Sequence, residues 1–111
     1  MAPNLYLVFS KPPEGLPPEE YDRWYDLHVR ENIVSPGFAS ARRYELEPSR
    51  DEPVVFSHLA LYEYEGDMST WRTDLTRRIE TDDVVLPEWF PQIRFSSWAA
   101  LPLSERIEPV R

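Results

Sequence analysis

The chain has 111 residues, which is enough for one domain with a hydrophobic core but too few for two. Its 12 basic and 20 acidic residues give a formal net charge of −8, which disfavours nucleic acid and anionic lipid as partners. The absence of cysteine excludes disulfides, thiolate nucleophiles and cysteine-based zinc sites.

The first half of the chain predicts a strand, a helix and a second strand. Residues 4–10 (NLYLVFS) form a short run of β-prone residues that is followed by a proline-containing loop. The prolines and glutamates at 17–20 predict a helix start, because proline suits the first turn and acids suit the positive end of the helix dipole. We expect this helix to continue to about Val34 and residues 38–46 to form the second strand.

The second half predicts a strand, a helix, a loop and a last strand. Residues 54–64 (VVFSHLALYEY) alternate with a period of two, so the even-numbered side chains should share one face of the strand. Residues 68–80 are spaced for a helix with one buried face, and 81–91 predict an irregular, partly buried loop. Residues 93–101 predict the last strand.

This order of elements is the split βαββαβ pattern, which predicts an α+β fold of the ferredoxin-like type. A four-stranded antiparallel sheet would carry both helices on one face, in a single domain of residues 1–111 with a tail at 102–111. Because several strands carry large side chains on both faces, we expect two copies to pack sheet against sheet as a homodimer. No signal peptide or membrane-spanning run is visible, which favours a cytoplasmic protein that binds no membrane.

The most informative segment is an aromatic stripe on the first helix. At about 100° per residue, Tyr21, Trp24, Tyr25 and His28 fall on one side, with Asn32 one turn further on. Three large rings beside one imidazole suit a small aromatic-lined pocket, and the unperturbed pKa of imidazole lies close to neutrality. A histidine that is simply packed in the core is the structural alternative.

This segment resembles the EthD-like branch of the dimeric α+β barrel superfamily. The resemblance rests on Tyr21-x-x-Trp24-Tyr25-x-x-His28, the Pro36-Gly37-Phe38 turn and Arg42-Arg43-Tyr44. The order of strands and helices also fits, so the resemblance extends over most of the chain. It implies a ferredoxin-like dimer with a ligand cleft between the helices and the sheet.

The resemblance implies a function as well as a fold. Members of the superfamily bind small, often aromatic or polyketide-like molecules, and their reactions include cyclisation, isomerisation, dehydration, decarboxylation and cofactor-free oxygenation. By this resemblance His28 is the expected catalytic residue, and Tyr21, Trp24 and Tyr25 are expected in the pocket or the core. No cofactor is expected, although haem ligation by His28 is an alternative that some members suggest.

Residues outside this helix supply further candidates. A tyrosine hydroxyl can stabilise a developing enolate, which makes Tyr62 a candidate catalytic residue and Tyr6 and Tyr64 candidate substrate contacts. Packing in the core or in a dimer interface is the alternative for each tyrosine. His58 is a further catalytic candidate. The predicted loop adds two candidate substrate contacts, Trp89 and Phe90.

The sequence also bears on metal ligation and on ion pairing. A metal site would need both histidines and a carboxylate such as Glu31 or Glu63 to converge, and no closely spaced ligand motif supports it. Arg42 and Arg43 should face opposite ways on a strand, so one of them should point inward. Its expected partner is an anionic substrate group or a carboxylate, either Glu31 or Glu45.

Three functions remain open from the sequence. The first is a small cofactor-independent cyclase, isomerase or dehydratase that uses His28 as a general acid and base. The second is a non-catalytic accessory protein that binds a ligand in the same aromatic pocket. The third is a cofactor-free or haem-dependent oxygenase.

Overall fold

The computed structural model describes residues 2–110 and builds them into one antiparallel sheet with two α-helices. The elements, in chain order, are β1 (Asn4–Lys11), α1 (Pro18–Asn32), β2 (Phe38–Glu45), β3 (His58–Tyr64), α2 (Met68–Glu80), a 3₁₀ helix (Phe90–Gln92) and β4 (Arg94–Ala100). The strands lie in the order β2-β3-β1-β4, and each neighbouring pair is antiparallel. The predicted βαββαβ arrangement and four-stranded sheet are therefore confirmed.

Most element boundaries agree with the sequence, but the prediction for β3 was wrong at its start. The strand begins at His58 rather than at Val54. The reason is the reach of the neighbouring strands, because strand pairing begins at His58, which lies opposite Ser10 of β1 and Glu45 of β2. Val54 is β-prone but has no strand beside it, and it remains 58% exposed.

The even-numbered side chains of β1 and β3 face the helices, as the predicted alternation requires. The buried side chains on this face are Tyr6, Val8, Ser10, Ala60, Tyr62 and Tyr64. The helices cover them with Tyr21, Tyr25 and Val29 from α1 and Trp71 from α2. The Tyr21 hydroxyl donates a hydrogen bond of 2.7 Å to Ser10 Oγ, which positions α1 over β1.

The two helices are joined near the C-terminal end of α1, which comes at Asn32, slightly earlier than predicted. Arg78 of α2 donates to the carbonyl oxygen of Glu31 at 2.7 Å and to Ser35 Oγ at 2.6 Å. Ser35 Oγ donates in turn to Asp74 Oδ2 at 2.7 Å. Because the Arg78 side chain is 10% exposed, this network places a buried cation beside the end of α1.

The opposite face of the sheet is bare in the described residues 2–110. The strand register places Arg42, Leu61, Leu7 and Trp98 in one row across this face. Trp98 is 62% exposed, and Tyr44 on the same face is 41% exposed. An uncovered sheet face of this kind is what the sequence predicted. In the same residues, neither helix has the length and apolar character needed to cross a membrane.

Candidate active site

One side of α1 carries the aromatic stripe that the sequence predicted. Tyr21 and Tyr25 are 0% and 2% exposed, and His28 is 9% exposed. The Trp24 and His28 rings, one helical turn apart, stack at 4.7 Å with an angle of 16° between their planes. Tyr25 meets His28 edge-on at 6.0 Å, so aromatic rings flank the imidazole on two sides.

The loop between α2 and β4 covers this stripe from outside. The prediction of an irregular, partly buried segment is confirmed, and the segment contains the short 3₁₀ helix. Trp89 meets the Trp24 ring at 5.0 Å, and Phe90 lies 6.3 Å from the His28 ring. Both side chains are half-buried, so Trp89 and Phe90 form a partly exposed aromatic cover over Trp24 and His28.

Tyrosines build the sheet side of the site. Asn32, one turn after His28, donates from Nδ2 to the Tyr62 hydroxyl at 3.0 Å. The Tyr62 ring lies 5.8 Å from Tyr6, which meets Trp71 of α2 edge-on at 4.9 Å. Burial raises the pKa of Tyr62 to about 12, so its hydroxyl stays protonated near pH 7 and can donate a hydrogen bond.

Tyr64 joins this group through Phe38, whose ring lies 5.3 Å from Tyr62. The Tyr64 ring packs near Phe38 at 6.4 Å, where β2 begins, and Tyr64 is 7% exposed. Among residues 2–110, no aromatic contact joins Tyr64 to the stripe on α1. The structure therefore links Tyr62 to α1 through Asn32, and it leaves Tyr6 and Tyr64 in the core without an aromatic contact to the stripe among residues 2–110.

Several buried polar atoms of this region have no hydrogen-bond partner among residues 2–110. They include Trp24 Nε1, His28 Nδ1, Asn32 Oδ1 and Trp71 Nε1. Leaving such an atom unpaired costs roughly 1–3 kcal/mol, and most buried polar atoms in folded proteins are paired. Trp24 Nε1 and His28 Nδ1 belong to stacked rings on α1, and Asn32 Oδ1 lies one turn further on. Trp71 Nε1 lies on α2, where its ring meets Tyr6.

The charge state of His28 follows from its surroundings. Burial, assisted by the nearby Arg78 cation, lowers the pKa of His28 to about 4. The imidazole is therefore neutral near pH 7, when it can accept a proton but does not act as an imidazolium acid. This neutral form fits the base of the two roles that the sequence predicts for His28.

His58, the second candidate histidine, lies in a different place. It lines an open groove of about 520 Å³ together with Asp22 and Arg43. Its Nδ1 is 2.8 Å from Ser57 Oγ, and its Nε2 is 3.7 Å from Asp22 Oδ1. Partial burial lowers the pKa of His58, and the Asp22 carboxylate opposes that effect. The structure does not bring His58 together with His28.

Arg43 organises the same groove. It is the inward-facing member of the predicted arginine pair, on the helix side of the sheet opposite Ala60. Its guanidinium binds Asp22 Oδ1 at 2.8 Å and Asp26 Oδ1 at 3.1 Å. The expectation of Glu31 or Glu45 as its partner was wrong, because the two aspartates lie one turn apart on the side of α1 that faces β2.

Sequence reasoning missed two residues of the candidate site, Trp71 as a hydrogen-bonding group and Arg78 as a buried cation. A signal existed for the second. Arg78 lies seven residues after Trp71 and therefore on the same predicted buried face of α2. An arginine on a buried face needs acceptors nearby, which the end of α1 supplies.

Two further observations limit what the site can hold. No group of three His, Asp or Glu side chains within residues 2–110 is placed to hold a metal ion. At least five shallow grooves mark the surface of these residues, and His28 lines none of those five. Trp24 and the aromatic cover occupy the space beside the imidazole.

Comparisons with known proteins bear on the fold. No protein-family model matches the sequence, and no curated protein sequence matches it either. Among solved structures, a protein from Shewanella loihica, provisionally described as a monooxygenase, matches with a TM-score of 0.61 and 11% identity. That match covers 94% of this chain and 98% of the other.

Two other structures match over nearly their whole length. A mutant of SnoaB, a cofactor-independent oxygenase from Streptomyces nogalater, has a TM-score of 0.58 and 16% identity, covering 96% of this chain and 100% of the other. A dimeric ferredoxin-like protein from an uncultured marine organism has a TM-score of 0.56 and 11% identity, with the same coverage. At such identities the likeness shows the fold and not the activity. The chain has a ferredoxin-like α+β fold, and its place in the EthD-like branch stays a prediction.

Proposed function

We propose that the protein is an enzyme that binds an aromatic or polyketide-like small molecule beside His28 and removes a proton from it without a cofactor. The observation that carries this proposal is the set of buried polar atoms without partners among residues 2–110. The Trp24 indole N–H is a donor for a carbonyl oxygen, and His28 Nδ1 can accept from a hydroxyl in the tautomer protonated at Nε2. A ligand with a carbonyl and a phenol group would pair both atoms.

Neutral His28 is suited to take the proton. A phenol, or a carbon acid beside a carbonyl, would transfer its proton to the imidazole and leave an imidazolium next to a substrate anion. In the free protein, burial and Arg78 disfavour the imidazolium, but a bound anion would oppose both effects. The Trp24 N–H group beside the imidazole is the available donor for the negative oxygen, and the protonated Tyr62 hydroxyl, bound to Asn32 of α1, is the second candidate.

The substrate anion can then follow two routes. If the imidazolium returns the proton to another atom of the substrate, the product is an isomer, or a ring when the anion has first attacked an internal carbonyl. If the anion reacts with O₂, a hydroperoxide anion forms and takes the proton back from His28. SnoaB, which shares the fold, is a cofactor-independent oxygenase, so the second route is tested beside the first.

Entry to His28 requires the aromatic cover to move. Trp89 and Phe90 belong to a turn with local backbone bonds, from Phe90 N–H to the Pro87 carbonyl at 3.0 Å and from Ile93 N–H to the Phe90 carbonyl at 3.1 Å. These backbone bonds lie within the turn and not in the sheet. An outward displacement of the cover would therefore leave the strand pairing intact. A ligand would then take the place of the two rings against Trp24 and His28.

We place this site in a homodimer that forms through the bare face of the sheet. Leu7, Leu61 and Trp98 lie in one row on that face, with Tyr44 nearby, and exposed apolar patches of this kind are typical of protein interfaces. One of the matching structures with this fold is described as dimeric, which supports the same arrangement here.

The experiment is a substrate screen with matched histidine variants. Purified protein is incubated with polycyclic phenols and poly-ketone analogues, while products are followed by mass spectrometry and oxygen by an electrode. For a substrate that is turned over, His28→Gln should lower the rate at least about 100-fold, because it removes the proton acceptor. His58→Gln is the control and should lower the rate far less, since His58 lines another groove and meets the stripe only at the Tyr21 ring, at 5.2 Å.

The readouts separate the alternatives. Product formation with oxygen uptake identifies an oxygenase, and product formation without it identifies an isomerase or cyclase. Ligand binding without any product across the panel would contradict the enzyme and favour the accessory protein. A Soret shift after addition of haemin, together with haem-dependent turnover, would replace the cofactor-free reaction with the haem alternative.

A further inference from the structure

Residues 101–110 form a tail that continues from β4 and stays largely outside the fold. Its apolar side chains are strongly exposed, at 64% for Leu101, 101% for Leu103, 86% for Ile107 and 101% for Val110. Within residues 2–110, the side-chain hydrogen bonds and ion pairs of the tail join it only to itself. These apolar groups gain nothing from the core of their own chain and are free to pack on a partner.

The whole molecule exposes more surface than a folded monomer of its size. A monomer of 13.1 kDa has an accessible surface of about 6,400 Å² by the general scaling with mass. This chain exposes 8442 Å², an excess of roughly 2,000 Å² over that scaling. Its radius of gyration is 15.7 Å, against about 13 Å for a compact chain of this length.

We propose that residues 102–110 are an arm that each protomer lays on a second copy of this chain. The proposal rests on the homodimer proposed above. If the excess surface becomes buried, a pair of chains loses roughly 4,000 Å², which lies in the range of obligate homodimers. Four strands at about 4.8 Å spacing and about 25 Å length give a bare face of only about 500 Å² in outline, so the arm is needed to reach that value.

The arm is long enough to cross a partner. Nine extended residues span up to about 30 Å, whereas a four-stranded sheet is about 19 Å wide. Residues 101–110 form neither a helix nor a strand, and Pro109 disfavours a helix at the far end of the arm. The arm begins two residues after the end of β4, and its first residues line a groove with Ala2.

A second copy of this chain is the partner that can cover both the bare sheet face and the arm. β4 is an edge strand that carries Trp98 on the bare face and leads directly into the arm. The two apolar surfaces are therefore continuous on one protomer. A two-fold symmetric contact buries both of them on both protomers at once, whereas an unrelated partner would have to match each separately.

The absence of cysteine allows a direct test by spin labelling. Ile107→Cys carrying a nitroxide is mixed with unlabelled chain enriched in ¹⁵N, and line broadening is read on the ¹⁵N chain. We expect strong broadening of a continuous set of its amide signals, because the label is on the other protomer and acts only on amides that lie close to the arm. Thr76→Cys, on the exposed side of α2, is the matched control and should broaden few signals.

A truncation tests whether the arm holds the dimer together. Removal of the chain from 102 onward should raise the dimer dissociation constant at least about 100-fold in sedimentation experiments, because the apolar contacts are lost. The double variant Leu103→Ser with Ile107→Ser keeps the chain length and should act in the same direction. Glu105→Gln in the same tail is the control, and circular dichroism checks that each variant is folded.

The outcomes test the proposed arm and the proposed homodimer separately. A dimer whose affinity is unchanged by both arm variants, or one without broadening between protomers, would overturn the arm and leave the homodimer standing. A chain that sediments as a monomer at every concentration would overturn both. Neither result bears on proton transfer by His28, which the substrate screen tests separately.

Discussion

The two histidines of this chain have the same side chain in opposite surroundings. His28 is 9% exposed and lies near the Arg78 cation, whereas the side chain of His58 is 23% exposed and lies 3.7 Å from the Asp22 carboxylate. Burial lowers the pKa of both residues. The Arg78 cation adds to the effect of burial at His28, whereas the Asp22 carboxylate opposes it at His58, so charged neighbours modify how strongly each imidazole resists a proton.

Their hydrogen bonds differ in the same way. His58 Nδ1 already has Ser57 Oγ at 2.8 Å, while His28 Nδ1 has no partner among residues 2–110. The Nδ1 atom of His58 therefore has a hydrogen-bond partner within the chain, whereas the Nδ1 atom of His28 is available to a ligand. This difference is why the proposed proton transfer is assigned to His28.

The largest effect that separates the two histidines is on stability against pH. The pKa of His28 is about 4 in the folded protein and about 6.5 when the chain is unfolded. Between these values the unfolded chain binds the extra proton, so the contribution of His28 is complete above pH 6.5 and is lost as the pH falls towards 4. The difference corresponds to roughly 3 kcal/mol, measurable by urea unfolding between pH 4 and pH 7.5.

Matched variants separate the contribution of His28 to the pH dependence of stability from the contribution of the carboxylates. His28→Gln should flatten the pH dependence by nearly one proton in that window, and His58→Gln should change it much less. Parallel curves for the wild type and His28→Gln would show that His28 takes up its proton as easily in the folded protein as in the unfolded one.

The fold was predictable because most of its elements carry local signals. The prolines that open α1, the alternation in β3 and the buried spacing of Met68–Glu80 are all visible without a structure. The start of β3 was not predictable from local signals. Val54 has a side chain suited to a strand, but strand length depends on whether neighbours are present to pair.

The sequence predicted the side chains that α1 contributes to the candidate site, but not the contacts that join α1 to the other elements. Helical spacing alone places Tyr21, Trp24, Tyr25 and His28 on one side, as the structure confirms. Contacts such as Arg78 to Ser35 depend on how two helices lie on a sheet, and no periodicity within either helix encodes that. The same reason explains why the aspartate partners of Arg43 were missed.

The second prediction removes the cation near His28. Arg78→Met leaves the Glu31 carbonyl and Ser35 Oγ without this donor, which should lower the free energy of unfolding by about 2 kcal/mol. The pKa of His28 should rise but remain below 6.5, because burial is the larger cause of its low value. Nuclear magnetic resonance titration of the imidazole measures this.

Arg77→Met is the control for that variant. Asp74 pairs with both arginines, with Arg78 Nε at 3.2 Å and with Arg77 Nη2 at 2.9 Å. The Arg77 side chain is 60% exposed, and Arg77 is not a cause of the low pKa of His28. It should therefore change stability little and leave the titration of His28 in place. Equal effects of the two variants would mean that Asp74, and not the position of Arg78, matters to the site.

The smallest predicted effect removes the anion near His58. Asp22→Asn should lower the pKa of His58 further, because it removes the charge that opposes burial. Its effect on stability should stay below about 1 kcal/mol, since Asp22 is 55% exposed and Arg43 keeps Asp26. Asp26→Asn is the matched control: it weakens the same arginine pair but is not a cause of the shifted pKa of His58, so the titration should not move. If both variants shift it equally, the Arg43 pair as a whole sets the charge of His58, and the contrast with His28 is one of burial alone.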